Sequence, residues 1–437
     1  MDKRIRLAAA GDILITKRIP EGNEGIAPIH TFMDRADIRM ANLETTITDG
    51  SCFASAVSGG TWLTAEKGCL QDIKRYGFNV LGLANNHTMD YSYKGLAMTL
   101  KYVEDAGFSH AGAGQNLYEA SRPALVETKS GRVGIFAVCA TFDESARAGS
   151  QTERMPGRPG LNPLRFHTVY RVTEEHGRAL REIDKNTNVN GLRERHRAQG
   201  FLPPLPEKIL EFGEGQFEVV EKAEDEGRFT YPDDRDMERI LSRIQEAAYT
   251  CEAVAVLVHS HEIRGREEWE ADYFLEEFAR RCIDAGACAI VGSGTHQMKG
   301  IEIYKGCPIF YCLGNFIFEN SFVRELPADF MEKYGLSPDS GAAVGLAARK
   351  SGAAADLHSE KEVFWSVLPY FEICGGKCVD IELLPISLGF GRPRYEKNLP
   401  YPSSKEETGE ILFYLNKVCQ RYRMRWKYRE GKFVQDV

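Results

Sequence analysis

The chain has 437 residues, 43% of them hydrophobic, and a formal net charge of −8. This length and hydrophobic share suit a large α/β domain with insertions. The acidic balance argues against a nucleic-acid partner, because proteins that bind nucleic acids carry strong basic patches. Most of the 11 cysteines stand singly in apolar contexts, which predicts buried thiols in a reducing compartment.

Strands and helices alternate through the first third of the chain, as the period of the apolar residues indicates. The predicted elements are, in chain order, strands at 5–10 and 38–41, a helix at 66–76, a strand at 78–83, a helix at 91–106, and strands at 123–127 and 132–140. Alternation of this kind predicts an α/β (α+β) fold in which helices cover the sheets.

The pattern breaks between residues 143 and 235, which are polar and rich in Arg, Glu, Gly and Pro. We expect one helix there, at 173–183, in a segment inserted over or beside the functional site. The later predicted elements are a helix from 236, a strand at 254–258, a helix at 269–285, short strands from 289 to 318, a possible strand at 341–348, strands at 364–373 and 378–385 that complete a second sheet, and a helix at 405–422. The core therefore comprises residues 1–142 and 236–437, with two sheets flanked by helices.

Five of the predicted strands end in side chains that can bind a metal or transfer a proton. In chain order these side chains are Asp12, Glu44, Asn86 with His87, His259 with His261, and His296. Ligands of α/β folds collect at the carboxyl ends of strands. Carboxylate, amide and imidazole donors together suit a metal ion.

Acid–base candidates lie in the same segments. Asp90 follows His87 by three residues, so we expect a carboxylate–imidazole pair in which the carboxylate fixes the tautomer. His296 and Asp12 could form a second pair across the strand ends. The plainer alternative for residues 84–90 is a capped turn, with Asp90 as the N-cap of the next helix.

The spacing of the histidines separates candidates for the functional site from structural or surface histidines. His259 and His261 stand two apart, so an extended strand directs both to the same side. His261 is either a metal ligand or a substrate-facing acid or base, and metal-ligand chemistry does not separate the two. The histidines expected to be structural or surface residues, because they lack ligand-type neighbours at motif spacing, are His110, His167, His176, His196 and His358.

A series of short motifs in this chain resembles one known family. The motifs are Gly11-Asp12, Asn42-Leu43-Glu44, Ala84-Asn85-Asn86-His87 with Asp90 and Gly95, His259, Gly292 to His296, and Tyr311 to Phe316. Their order is similar to that of the capsule-synthesis CapA/PgsA family, over roughly residues 4–142 and 236–320. The resemblance implies a fold like that of the calcineurin-like metallophosphoesterases and a link to poly-γ-glutamate synthesis.

Three positions depart from the calcineurin-like pattern. Leu14 replaces the histidine of Asp-x-His, Gly294 replaces the first histidine of Gly-His-x-His, and Glu44 stands for the bridging aspartate. We therefore expect one divalent ion rather than the pair of a phosphatase. The expected ligands are Asp12, Glu44, Asn86, His259 and His296. Oxygen donors favour Ca, Mg or Mn, and the imidazoles admit Zn or Fe.

These features predict a metal-dependent enzyme that uses acid–base chemistry. The residues expected to carry catalysis are His87, Asp90, His296, Asp12 and His261. By resemblance the substrate is a peptide or γ-glutamyl compound, and the reaction is amide hydrolysis. Two alternatives stay open: epimerisation at a peptide Cα, as in lasso-peptide epimerases that resemble this chain in being soluble, and a non-catalytic subunit of poly-γ-glutamate synthesis.

The location is predicted from the ends and the hydropathy of the chain. The first strand begins almost at once, and no apolar run approaches the length of a membrane span. We therefore expect a cytoplasmic protein without a signal peptide or membrane anchor. The sequence indicates no oligomeric state.

Overall fold

The computed structural model describes residues 4–206, 208–320, 322–351, 359–393 and 395–436. It confirms the predicted fold class, because helices and mixed sheets alternate along the chain and two large sheets pack against each other. In chain order the strands are β1 (Ile5–Leu14), β2 (Ile38–Leu43), β3 (Thr46–Ile47), β4 (Thr64–Ala65), β5 (Val80–Gly82), β6 (Ser109–Ala111), β7 (Ala113–Gly114), β8 (Ala124–Thr128), β9 (Gly131–Cys139), β10 (Gly160–Leu161), β11 (Phe166–Thr173), β12 (Ile209–Phe212), β13 (Gly215–Val220), β14 (Gly227–Pro232), β15 (Ala253–Ser260), β16 (Ala289–Gly294), β17 (Ile301–Tyr304), β18 (Cys307–Phe310), β19 (Asn315–Phe318), β20 (Trp365–Cys374), β21 (Lys377–Ser387), β22 (Tyr401–Pro402), β23 (Trp426–Arg429) and β24 (Lys432–Gln435). The helices are α1 (Ile26–Met33), α2 (Gly68–Lys74), α3 (Ser92–Asp105), α4 (Leu117–Ala120), α5 (Glu174–Thr187), α6 (Gly191–Ala198), α7 (Asp234–Thr250), α8 (Tyr273–Asp284), α9 (Ala328–Lys333), α10 (Ala342–Ser351) and α11 (Lys405–Cys419).

Two mixed sheets form the core. The first has the order β23-β24-β21-β20-β1-β2-β5-β6, with β19 also paired to β1 and β22 to β21. The second has the order β17-β18-β16-β15-β9-β8. Strands β1, β2 and β5 run parallel in the first sheet, as do β9, β15 and β16 in the second. Their carboxyl ends therefore meet at one edge of the sandwich, where α/β folds hold their ligands.

Strand β15 shows how sequence period decides which face a side chain takes. Ala255 and Leu257 belong to the hydrophobic cluster between the sheets, whereas Val256 and Val258 pack outward beneath α7 and α8. Side chains of a strand alternate between faces with a period of two. The same alternation directs His259, the next odd-numbered residue, toward the first sheet.

Residues 143–235 hold more structure than the one helix predicted. That helix is α5, and beside it β11 to β14 form a four-stranded sheet in the order β12-β13-β11-β14. The sheet packs on α8, where the Phe166 ring stacks on that of Phe274 with centroids 4.4 Å apart. Along β11 only Val169 is buried. This sheet was not predicted from the sequence, because a largely solvated sheet shows little alternation of apolar and polar residues.

Two expectations for the C-terminal half were wrong. The possible strand at 341–348 is instead α10, whose buried residues Ala342 and Gly345 stand three apart, as one helical face requires. Its alanine content favours a helix. The hairpin of β20 and β21 extends the first sheet rather than completing a second one, because β20 pairs antiparallel with β1.

The cysteines and the hydropathy of the helices can also be compared with the expectations from the sequence. All 11 cysteines lie in the described part of the chain, where none is joined in a disulfide. Within that same part, none of the helices has both the length and the apolar character required to cross a bilayer.

Candidate metal centre

The strand ends singled out in the sequence converge on one buried point. Asp12 lies within β1, Glu44 follows β2, and the loop of residues 85–90 follows β5. From the second sheet, His259 lies near the end of β15 and His296 follows β16. Asp12, Glu44 and His259 are at most 1% exposed. The site is therefore assembled across both sheets, at their shared carboxyl edge.

Glu44 is the centre of this cluster. Its Oε1 lies 3.8 Å from His87 Nε2, 3.7 Å from His259 Nε2 and 3.9 Å from His261 Nε2. Neither carboxylate oxygen has a hydrogen-bond donor among the described residues. Burial, followed by the negative charge of Asp12, raises the pKa of Glu44 well above its ordinary value. A cation would satisfy a buried carboxylate surrounded by imidazole nitrogens.

Three donor atoms lie within 4 Å of His259 Nε2. Asn86 Oδ1 is 2.8 Å from His259 Nε2, and that nitrogen is 3.1 Å from His261 Nε2. Ligands held about 2.1 Å from a metal stand roughly 3.0–3.4 Å from each other. Glu44 Oε1 lies slightly farther away, 3.7 Å from His259 Nε2 and 3.9 Å from His261 Nε2. More broadly, two sets of donor atoms that could hold a metal share Glu44: Asp12 with His259, and His261 with His296. His261 thus lies at the centre itself.

Asp12 is positioned to orient His259. Its Oδ1 accepts from Asn42 Nδ2 at 2.7 Å and lies 3.4 Å from His259 Nδ1, while Oδ2 accepts from the Gly294 amide at 2.8 Å. Burial raises the pKa of Asp12, but the hydrogen bond and charge of His259 outweigh it, so that the pKa is lowered. Ser293 Oγ is also 3.0 Å from His259 Nδ1. These contacts hold Nδ1 and leave Nε2 directed at Glu44.

His87 and Asp90 are in direct contact. The Asp90 Oδ2 atom is 2.7 Å from His87 Nδ1 and also accepts from the Leu63 amide at 2.8 Å. The carboxylate is an acceptor only, so Nδ1 carries a proton and Nε2 is directed toward Glu44. Asp90 is not the N-cap of α3, which is Tyr91.

His296 has a different partner from the one predicted. Its Nδ1 lies 2.9 Å from Asn315 Oδ1, and Asn315 Nδ2 donates to the carbonyls of His296 and Val363 at 3.2 and 3.1 Å. The amide nitrogen is thereby fixed, so the oxygen accepts from Nδ1–H and Nε2 is free. The expected His296–Asp12 pair was wrong. His296 has a left-handed backbone (φ 61°), and its Nδ1–H donates to Asn315, the ladder neighbour of Asp12. Burial lowers the pKa of His296.

An apolar corner borders the centre. Leu14, which stands where the calcineurin-like pattern has a histidine, packs in a buried cluster with Leu63 and Phe318. The Phe318 ring lies 4.8 Å from the His296 ring. The position that a second ion's ligand would need is therefore filled by hydrocarbon.

Several orienting residues were not identified as such from the sequence. Asn42 and Asn315 are the ladder partners of Asp12, and Ser293 is that of His259. Asn42 and Asn315 lie in motifs noted above. Their position beside Asp12 in neighbouring strands was the signal that could have identified them as orienting residues. Outside the centre, His110 contacts Glu104 and His176 contacts Glu226. His358 lies outside the described residues.

Comparison with known proteins supports one family. The bacterial capsule synthesis protein PGA_cap family matches residues 6–320. Uncharacterized protein y4sH of Sinorhizobium fredii is 29% identical over 427 residues, 95% of this chain and 89% of the relative. The PGA biosynthesis protein CapA of Bacillus subtilis is 22% identical over 335 residues (74% and 66%). A probable polyglutamine synthesis accessory protein of Mycobacterium tuberculosis is 25% identical over 289 residues (64% and 55%). The chain belongs to the PGA_cap family of bacterial capsule synthesis proteins.

Proposed function

We propose that this chain binds one divalent metal ion through Glu44, Asn86, His259 and His261. The observation that carries the proposal is the buried Glu44 carboxylate, which no donor among the described residues satisfies and which three imidazole nitrogens surround. Two imidazoles beside two oxygen donors suit Mn or Zn better than Ca or Mg. The ligand set departs from the sequence-based one, since His261 enters it, while Asp12 and His296 leave it, Asp12 to orient His259 and His296 to act as a base.

His296 and His87 flank this centre as base and acid. Both rings have Nδ1 held by an acceptor, so each directs Nε2 toward the centre. The partner of His296 is a neutral amide, which favours a neutral imidazole that takes a proton. The partner of His87 is a carboxylate, which stabilises the imidazolium that donates one. A divalent ion supplies Lewis-acid polarisation of a carbonyl oxygen.

The reaction that best fits this arrangement is hydrolysis of an amide in a peptide or γ-glutamyl substrate. His296 removes a proton from the attacking water, and His87 protonates the departing nitrogen. The relatives named for PGA biosynthesis and polyglutamine synthesis support a γ-glutamyl substrate. Epimerisation at a peptide Cα is the second candidate, because a base and an acid that both face one centre can remove a proton and return another.

Incubation of γ-glutamyl and α-linked peptides with the protein and Mn²⁺ in deuterium oxide tests the proposal. Cleavage identified by mass spectrometry supports the hydrolase, whereas deuterium at a Cα of an intact peptide supports the epimerase. If neither occurs with metal-loaded protein, the chain is an accessory subunit, as the name of the mycobacterial relative describes that protein. Residues 143–235 are proposed as an insertion beside this site, and the cytoplasmic location stays a prediction.

A further inference from the structure

Residues 50–63, here called the covering loop, lie directly on the loop that carries Asn86 and Asp90. The Ser55 amide donates to the Asp90 carbonyl at 2.8 Å, and the Leu63 amide donates to Asp90 Oδ2 at 2.8 Å. Asn86 Nδ2 donates to the Gly59 carbonyl at 3.2 Å. These three hydrogen bonds fasten the covering loop to the loop that carries Asn86 and Asp90.

Gly59 is required here for space rather than for its backbone angles. A Cβ atom at this position would stand 2.5 Å from Asn86 Nδ2, 2.6 Å from its Cβ and 2.7 Å from its Cγ. Contacts below 3.0 Å force one partner to move. Because one of these atoms is Asn86 Cβ, rotation of the amide alone does not relieve the overlap.

The covering loop has little freedom to retreat from Asn86. Its Trp62 ring packs edge-on against Phe330 of α9 (6.3 Å between centroids, 87° between planes), and Trp62 Nε1 donates to the Ser55 carbonyl at 2.8 Å. Trp62, Phe330 and Met331 form a buried cluster. A side chain at position 59 would therefore displace Asn86 more readily than the loop.

We propose that Gly59 is a positioning residue for the metal centre. Its carbonyl holds Asn86 Nδ2, which leaves Asn86 Oδ1 directed at His259 Nε2, 2.8 Å away, and its missing side chain keeps Asn86 in that place. This role rests on the proposed function, since Asn86 is one of the four proposed ligands. Groups that orient ligands in this way are worth about 10–100-fold in metal affinity.

Calorimetric titration with Mn²⁺ of wild type, Gly59→Ala, Asn86→Gly and the double variant tests the proposal. We expect Gly59→Ala to weaken Mn²⁺ binding by about 10–100-fold, and the double variant to bind Mn²⁺ as Asn86→Gly does. Gly22→Ala is the matched control, because a Cβ there meets no atom within 4 Å, and its affinity should equal that of wild type. Asn86→Gly removes Cβ together with the amide and makes room for the methyl group added at position 59, so the double variant is expected to fold even if Gly59→Ala does not.

The double-mutant cycle separates a positioning role from a general structural one. If Gly59→Ala weakens binding further in the Asn86→Gly background, or leaves wild-type affinity unchanged, the inference is overturned. If wild type binds no Mn²⁺, the proposed metal site fails and this inference fails with it. Wild-type binding with an unaffected Gly59→Ala variant would instead leave the proposed function intact.

Discussion

Glu44 is the residue at which metal binding and the stability of the metal-free protein oppose each other. Its carboxylate is 0% exposed, lies near Asp12, and receives no hydrogen bond from the described residues. Leaving a buried polar group unsatisfied costs about 1–3 kcal/mol, and more if the group is charged. Glu44→Gln keeps the shape, removes the charge and adds an amide that can donate to Asp12. We therefore expect the variant to be more stable than wild type when metal is removed.

The expected magnitudes follow from these contacts. In chelator the free energy of unfolding should rise by about 1–3 kcal/mol, which corresponds to a midpoint increase of about 1–3 °C for a chain of this length. Mn²⁺ at 100 times its dissociation constant should stabilise wild type by about 2.7 kcal/mol. The variant should lose most of this gain. Thermal unfolding of both proteins, with chelator and with Mn²⁺, measures the reversal.

The pH dependence has a definite sign. The folded-state pKa of Glu44 is raised. The contribution of this group to the stability of the metal-free protein is therefore fully present below its unfolded pKa and is lost as the pH rises through its folded pKa. The advantage of Glu44→Gln in chelator should therefore be larger at neutral pH than near pH 4.5, the ordinary value for Glu.

Glu211→Gln is the matched control. Glu211 is 5% exposed, but its carboxylate is paired with Arg193 at 2.7 Å and Arg197 at 3.1 Å. This change should destabilise the protein equally with and without Mn²⁺. The reasoning is refuted if Glu44→Gln is less stable than wild type in chelator, or gains as much from Mn²⁺ as wild type does.

Three further outcomes are expected. His87→Ala should lower turnover by about 10²–10⁴ with metal content nearly unchanged; loss of the ion would make His87 a ligand. Metal analysis should find one ion per wild-type chain and strongly reduced occupancy in His261→Ala, whereas two tight ions, or full occupancy in the variant, would contradict the four-ligand site. Aryl phosphate esters should not be hydrolysed at enzymatic rates with Mg, Mn, Ca or Zn, because a second ion lacks ligands beside Leu14; such activity, abolished in Asn86→Ala, would disprove this.

Local features of the sequence were enough to indicate the strand ends and the residues that follow them. Apolar runs ending in Asp12, Glu44 or His259 are contiguous signals, and the two-residue period already directed His259 and His261 to one side. The short spacing of His87 and Asp90 indicated their contact in the same way. Such features depend only on neighbouring residues, so they can be recognised in the sequence without the tertiary structure.

Contacts between distant segments decided the rest. The partner of His296 depends on β19 pairing with β1, which joins Asn315 to Asp12 across the chain, and on a left-handed backbone at His296 itself. The approach of Gly59 to Asn86 likewise requires the covering loop to fold back over the site. Ladder register, backbone handedness and close packing arise only when remote segments meet. The sequence by itself therefore determined which donors this protein brings to the sheet edge, and the tertiary structure decided which atom of each donor faces the centre.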